Sequence, residues 1–116
     1  MTTPHVDLAK HELSAIAQWA EQTPWISEIR LFGSRAKGTA RADSDIDLAV
    51  SVTSTERGNT AFGVFCALAD QWKRQLQERT GRHVCIQWYG PESPVYEFLR
   101  TEGILIWSRT QSAPIS

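Results

Sequence analysis

Apolar residues recur at helical spacing near the start of the chain. Val6, Ala9, Leu13, Ile16, Ala17 and Ala20 share one face. Thr3-Pro4 supplies a helix start, with Thr3 as cap and the proline in the first turn, and Thr23-Pro24 ends the element. Residues 25–32 are short in span and rich in β-branched and aromatic types, which predicts a strand that Gly33-Ser34 breaks. A polar segment, 35–44, follows. Over 45–52 the pattern alternates: Ile46, Leu48, Val50 and Val52 face one way, and Asp45, Asp47, Ala49 and Ser51 the other. After a turn or loop over 54–59, a helix runs to about Arg79 with Phe62, Phe65, Ala69, Trp72 and Leu76 on its stripe, and Gly81 suits its C-terminal cap. Residues 83–89 predict a third strand, 95–102 a short helix closed by Gly103, and 104–107 a last strand. Helix, strand, strand, helix, strand, helix, strand is the order of an α+β domain: a mixed sheet of about four strands with helices packed on it.

Composition narrows the class. A chain of 116 residues suits one domain over 1–116, with a core over about 5–108 and a polar tail over 109–116. With 41% hydrophobic and 22% charged residues it reads as globular rather than disordered. A formal net charge of −1 gives no electrostatic basis for binding nucleic acid or an anionic membrane. The N-terminus lacks a basic start followed by an apolar run, and no stretch is long and apolar enough to span a bilayer, so a cytoplasmic protein is expected. Cys66 and Cys85 have no metal-type cluster in sequence around them and are read as free, buried thiols. Most of the tryptophans fall on apolar faces and read as core; Trp19 lies off the main stripe of the first helix, where exposure would mark a partner surface. The basic run of Lys73, Arg74, Arg79 and Arg82 reads as a solvated helix face.

Chemistry concentrates between Gly33 and Asp47. Glycine permits a sharp turn and lets a backbone N–H approach an anion, Ser34 adds a hydroxyl, and Arg35, Lys37 and Arg41 put positive charge beside the turn. Such a loop suits a polyphosphate. Asp45 and Asp47 stand two apart at a strand start, so both carboxylates leave one face. Held that close they repel, unless they lie at a solvated edge or share a divalent cation; magnesium takes carboxylate, phosphate and water oxygens. Each element alone is a weak signal. Their order on strand, turn and strand is far more specific.

Gly33-Ser34, ten intervening residues and Asp45-Ile46-Asp47 resemble the signature of the DNA polymerase β-like nucleotidyltransferase superfamily, and the run GSRAKGTARADSDIDLAV resembles its minimal branch. The resemblance implies a magnesium-dependent enzyme that moves a nucleoside monophosphate, AMP from ATP above all, onto a hydroxyl. Gly33 and Ser34 would hold the β- and γ-phosphates, Arg35 and Lys37 would be phosphate partners, and Asp45 and Asp47 would be the metal-binding, catalytic carboxylates. It also implies an α-helical HEPN-family partner, as in toxin–antitoxin pairs. One departure stands out: the family's third carboxylate falls on Cys85, with His83 and Gln87 on the same face. Two readings follow, an enzyme or a catalytically degenerate module that binds nucleotide, a partner protein or both.

Overall fold

The computed structural model describes residues 8–41, 44–52, 61–90 and 93–109. Four helices and four strands alternate as α1 (Lys10–Glu21), β1 (Ile26–Phe32), α2 (Ser34–Lys37), β2 (Ile46–Val52), α3 (Ala61–Thr80), β3 (Val84–Trp88), α4 (Tyr96–Glu102) and β4 (Ile104–Ser108). The strands form one sheet in the order β3-β2-β1-β4. β1 is antiparallel to both β2 and β4, whereas β2 and β3 are parallel. The mixed sheet expected from the sequence is present. No helix among the described residues is long and apolar enough to cross a membrane.

Alternation decides what each face of the sheet touches. Ile46, Leu48, Val50 and Val52 of β2 pack with Val84 and Trp88 of β3 beneath α1 and α3, where Ile16, Ala20, Trp72 and Leu76 complete the main core. β1 would lose phase here, since Ile26 and Ile29 are an odd number apart. A β-bulge between Ile26 and Glu28 absorbs the extra residue and returns both isoleucines to the core. On the opposite face α4 covers a smaller cluster of Ala49, Tyr89 and Leu99, flanked by Phe32 and Tyr96. α4 leaves the Asp45 end of that face open, with Asp45 exposed and Asp47 half-buried.

Several expectations change. α1 begins at Lys10 with Ala9 at its cap; Thr3-Pro4 lies outside the described residues, as do the 54–59 loop, Asp43 and the tail beyond Arg109. The polar segment after Gly33 contains a short helix, α2. Trp19 is buried, not an exposed partner surface: α3 packs over it, its Nε1 donates to Gln75 Oε1 at 2.8 Å, and its ring meets Trp72 edge-on. Phe62 departs in the other sense. It sits in the first turn of α3, 48% exposed, and meets the core in an edge-to-face contact with Trp88. Cys66 is exposed rather than buried, and Cys85 is half-buried.

The basic run is only partly a solvated face. Arg82 Nε donates to Oε2 of Glu12, a carboxylate 2% exposed, while Ala9 N–H donates to Glu12 Oε1 at 2.9 Å. Burial pushes the Glu12 carboxyl up. The Ala9 N–H, the Arg82 guanidinium and the more distant Arg35 charge together outweigh it, so the group titrates below the ordinary 4.5.

Candidate functional site

Three strand ends converge on the open part of the sheet: the end of β1 and the starts of the parallel pair β2 and β3. Phe32 registers against Asp47, so Gly33 arrives beside that aspartate as the chain leaves β1. Gly33 has φ +75° and ψ −155°, a backbone region essentially reserved for glycine. Its contact with Asp47 is equally demanding. A methyl built on Gly33 would overlap Asp47 Oδ2 and stand 3.1 Å from Asp47 Cγ. The turn and the carboxylate are packed against each other.

Ser34 opens α2, and its carbonyl accepts the Thr39 N–H at 3.0 Å, which closes the loop through Gly38. Lys37 ends α2 and is exposed. Arg35 lies differently from the other cation of this short helix. It is 4% exposed and donates from Nη2 to the Ser44 carbonyl at 2.8 Å and from Nε to the Asp45 carbonyl at 3.3 Å. Its guanidinium thereby anchors the backbone that carries the aspartates, and its charge partly opposes an upward shift of the Asp47 carboxyl.

Asp45 and Asp47 share a face with β3. Ile46 N–H donates to the His83 carbonyl at 3.0 Å, and Asp47 registers against Cys85 in the parallel ladder. The position that the resemblance reserves for a third carboxylate therefore holds a thiol beside Asp47. Burial pushes the Asp47 carboxyl up, and the neighbouring Asp45 charge adds to this; Arg35 and His83 oppose it, but the net shift is upward. Cys85 is likewise pushed up, by burial first and then by Asp47 and Asp45, with Lys73 opposing. A thiol so placed is neutral near pH 7. His83 Nδ1 faces Asp45 Oδ1 at 3.0 Å, and Cys85 Sγ lies 3.8 Å from Asp45 Oδ2.

Four of the sequence candidates thus gather: Gly33 packs on Asp47, Asp45 lies close enough for its charge to act on Asp47, and Ser34 is one residue further along the turn. Arg35 supports them from below, and Lys37 stands exposed at the rim. Lys73, read from the sequence as part of a solvated face, reaches Cys85 electrostatically; only packing of α3 on β3 reveals this. A cavity of about 290 Å³ bordered by Phe62, Gln87, Trp88, Ser93 and Pro94 lies at the other end of β3 and is not part of this cluster.

A glycine-serine turn and an Asp-x-Asp strand start on a four-stranded mixed sheet define a nucleotidyltransferase fold. The family comparison agrees: the chain belongs to the polymerase beta nucleotidyltransferase family, whose model matches residues 14–112. Among solved structures the chain is similar to one described as "Crystal structure of the toxin-antitoxin with AMP-PNP", with 24% identity and a TM-score of 0.62 over 86% of this chain and 76% of that one. At that identity the likeness is one of fold. No curated protein matches the chain.

Proposed function

We propose that this protein binds a nucleoside triphosphate, ATP in the first instance, together with magnesium at Gly33, Ser34, Asp45 and Asp47, and transfers the nucleoside monophosphate to a hydroxyl, which gives up its proton as the α–β phosphoanhydride bond breaks and pyrophosphate leaves. The observation that carries the reading is the packing of Gly33 on Asp47. A phosphate-sized approach to the Gly33-Ser34 turn is then also an approach to the carboxylates. The donor set suits the cation, since two carboxylates on one face, one of them made harder to ionise by burial and by its neighbour, are relieved by a divalent ion. Magnesium, when bound, neutralises charge on the triphosphate and on the phosphoryl group being transferred.

The chain's own residues divide the work. Gly33 and Ser34 receive phosphate oxygens, Asp45 and Asp47 face the metal, and exposed Lys37 adds a mobile positive charge. Arg35 is a positioning residue in this reading, because its donors are directed at the Ser44 and Asp45 carbonyls. The acceptor we assign is a hydroxyl on a partner protein or small molecule. An α-helical HEPN-type partner is the one implied by the resemblance to minimal nucleotidyltransferases; the toxin–antitoxin description of the similar structure supports a protein partner only in general. A reducing cytoplasm suits the two unpaired thiols.

The thiol at Cys85 favours a second reading, a module that retains nucleotide or partner binding but turns over poorly. General-base assistance is worth about 10²–10⁴-fold, and a neutral thiol does not replace a carboxylate in that role. Calorimetry with ATP and magnesium, beside an Asp45→Ala, Asp47→Ala double variant, tests the site itself. Magnesium-dependent binding that vanishes in the double variant is expected; wild-type protein that binds no triphosphate would sink the first reading. Transfer of labelled AMP to a HEPN-type partner then separates enzyme from module.

A further inference from the structure

The groups around Asp45 are not those of a magnesium site alone. Asp45, His83 and Cys85 each offer one ligand atom, and these atoms lie within 4.8 Å of one another. For a tetrahedral zinc ion, with bonds of about 2.0–2.1 Å to nitrogen or oxygen and about 2.3 Å to sulfur, neighbouring ligand atoms stand roughly 3.3–3.6 Å apart. The observed Nδ1–Oδ1 separation of 3.0 Å and Sγ–Oδ2 separation of 3.8 Å stand on either side of that range, though they run to the two different oxygens of Asp45. Rotation of the exposed Asp45 and His83 side chains, which brings one Asp45 oxygen to both partners and draws together atoms that lie within 4.8 Å of one another, meets it. Asp45 and His83 side chains are 46% and 56% exposed, so an ion has an open path from solvent.

Donor chemistry selects the ion. Thiolate and imidazole suit zinc, cobalt and nickel, whereas magnesium takes hard oxygen ligands and keeps its waters. We propose that Asp45, His83 and Cys85 form a second cation site for a zinc-class ion, at the position where the family resemblance places a third carboxylate. The inference rests on the proposed function only in taking Asp45 as a metal-facing carboxylate. On binding, the Cys85 thiol releases its proton to solvent and its sulfur takes the metal. The His83 ring coordinates through Nδ1 and carries its proton on Nε2. Three protein ligands leave a fourth position for water or a phosphate oxygen, the arrangement of zinc sites that bind substrate.

Cobalt(II) is the probe, added to the full chain after chelator treatment. Binding at Cys85 produces a near-ultraviolet sulfur-to-cobalt charge-transfer band. The band should saturate at one equivalent, persist in Cys66→Ser and vanish in Cys85→Ser, with far-UV circular dichroism read on every sample. In His83→Gln the sulfur band should remain but require at least about tenfold more cobalt. Micromolar zinc should abolish the band and millimolar magnesium should not. No band in the wild type, a band that follows Cys66, or one that magnesium removes as readily as zinc overturns the proposal. Calorimetry with magnesium and ATP on the same chelator-treated wild type keeps the two readings apart. Nucleotide binding without a cobalt band defeats only the zinc site, and a cobalt band without nucleotide binding defeats only the proposed function.

Discussion

Gly33→Ala is expected to remove magnesium-dependent ATP binding and to destabilise the fold, whereas Gly38→Ala is expected to do only the second, and more mildly. Both glycines have positive φ, +75° and +77°. Their surroundings differ. Gly38 lies in the ordinary left-handed region at ψ +18° with nothing within 4 Å of an added methyl, so alanine there costs about 1–2 kcal/mol. Gly33 lies in the glycine-only region, where any other residue costs about 1–3 kcal/mol, and its added methyl also collides with Asp47 Oδ2. Either the turn or the carboxylate must move, and in the proposed site both hold the same ligand. Urea unfolding and calorimetry on the pair measure the two effects separately. Wild-type ATP affinity in Gly33→Ala would mean that the packing of turn on carboxylate does not organise the site.

Arg82→Ala should lower stability by about 2–3 kcal/mol at neutral pH. This lies below the usual cost of breaking a buried ion pair, about 3–5 kcal/mol, because Arg82 is itself 36% exposed and partly screened. The carboxylate left behind stays buried with the Ala9 N–H. The pH dependence identifies the cause. In the wild type Glu12 titrates below its unfolded value, so its contribution is fully present above that value and is lost as pH falls through the folded one. Without Arg82 the opposing burial effect gains weight and the folded pKa rises. The gap between variant and wild type is therefore widest near neutrality and closes as pH drops below about 4.5. Denaturant midpoints measured from pH 7 to pH 3 read this directly, and a gap that stays constant would assign the loss to packing of the arginine stem instead.

The same pair marks what a sequence can and cannot reveal. The phase that places Asp47 and Cys85 opposite the core follows from a period of two, and the structure has it so; their pairing is what the resemblance implies, and Asp45 falls one residue before β2 rather than in the strand. Glu12 and Arg82 are polar residues on helix and loop, 70 positions apart, and no local pattern couples them. Arg35 reads as a phosphate partner beside the turn because nothing in its neighbours announces burial; only the fold of α2 beneath the β2 start turns its guanidinium toward backbone carbonyls. α2 itself spans four residues, too few for any periodicity to appear. Trp19 lies off the stripe that faces the sheet, yet α3 crosses α1 and widens the buried arc to include it. The Phe62 error is the converse: the apolar stripe of α3 continues into a first turn that overhangs the core.

Strand order has a consequence for how long the site persists. β2 is hydrogen-bonded on both sides, whereas β3 is an edge strand held by β2 alone within the sheet. Amides of β1 and β2 should exchange with solvent only through global opening, while β3 can part from the sheet in a smaller, more frequent fluctuation. Asp45 and Asp47 belong to the slowly exchanging half and His83 and Cys85 to the faster one. The lifetime of the complete constellation is thus the lifetime of a single parallel ladder. Any ion that bridges its two halves should appear first as deuterium protection in residues 84–88, before any change in global stability is measurable.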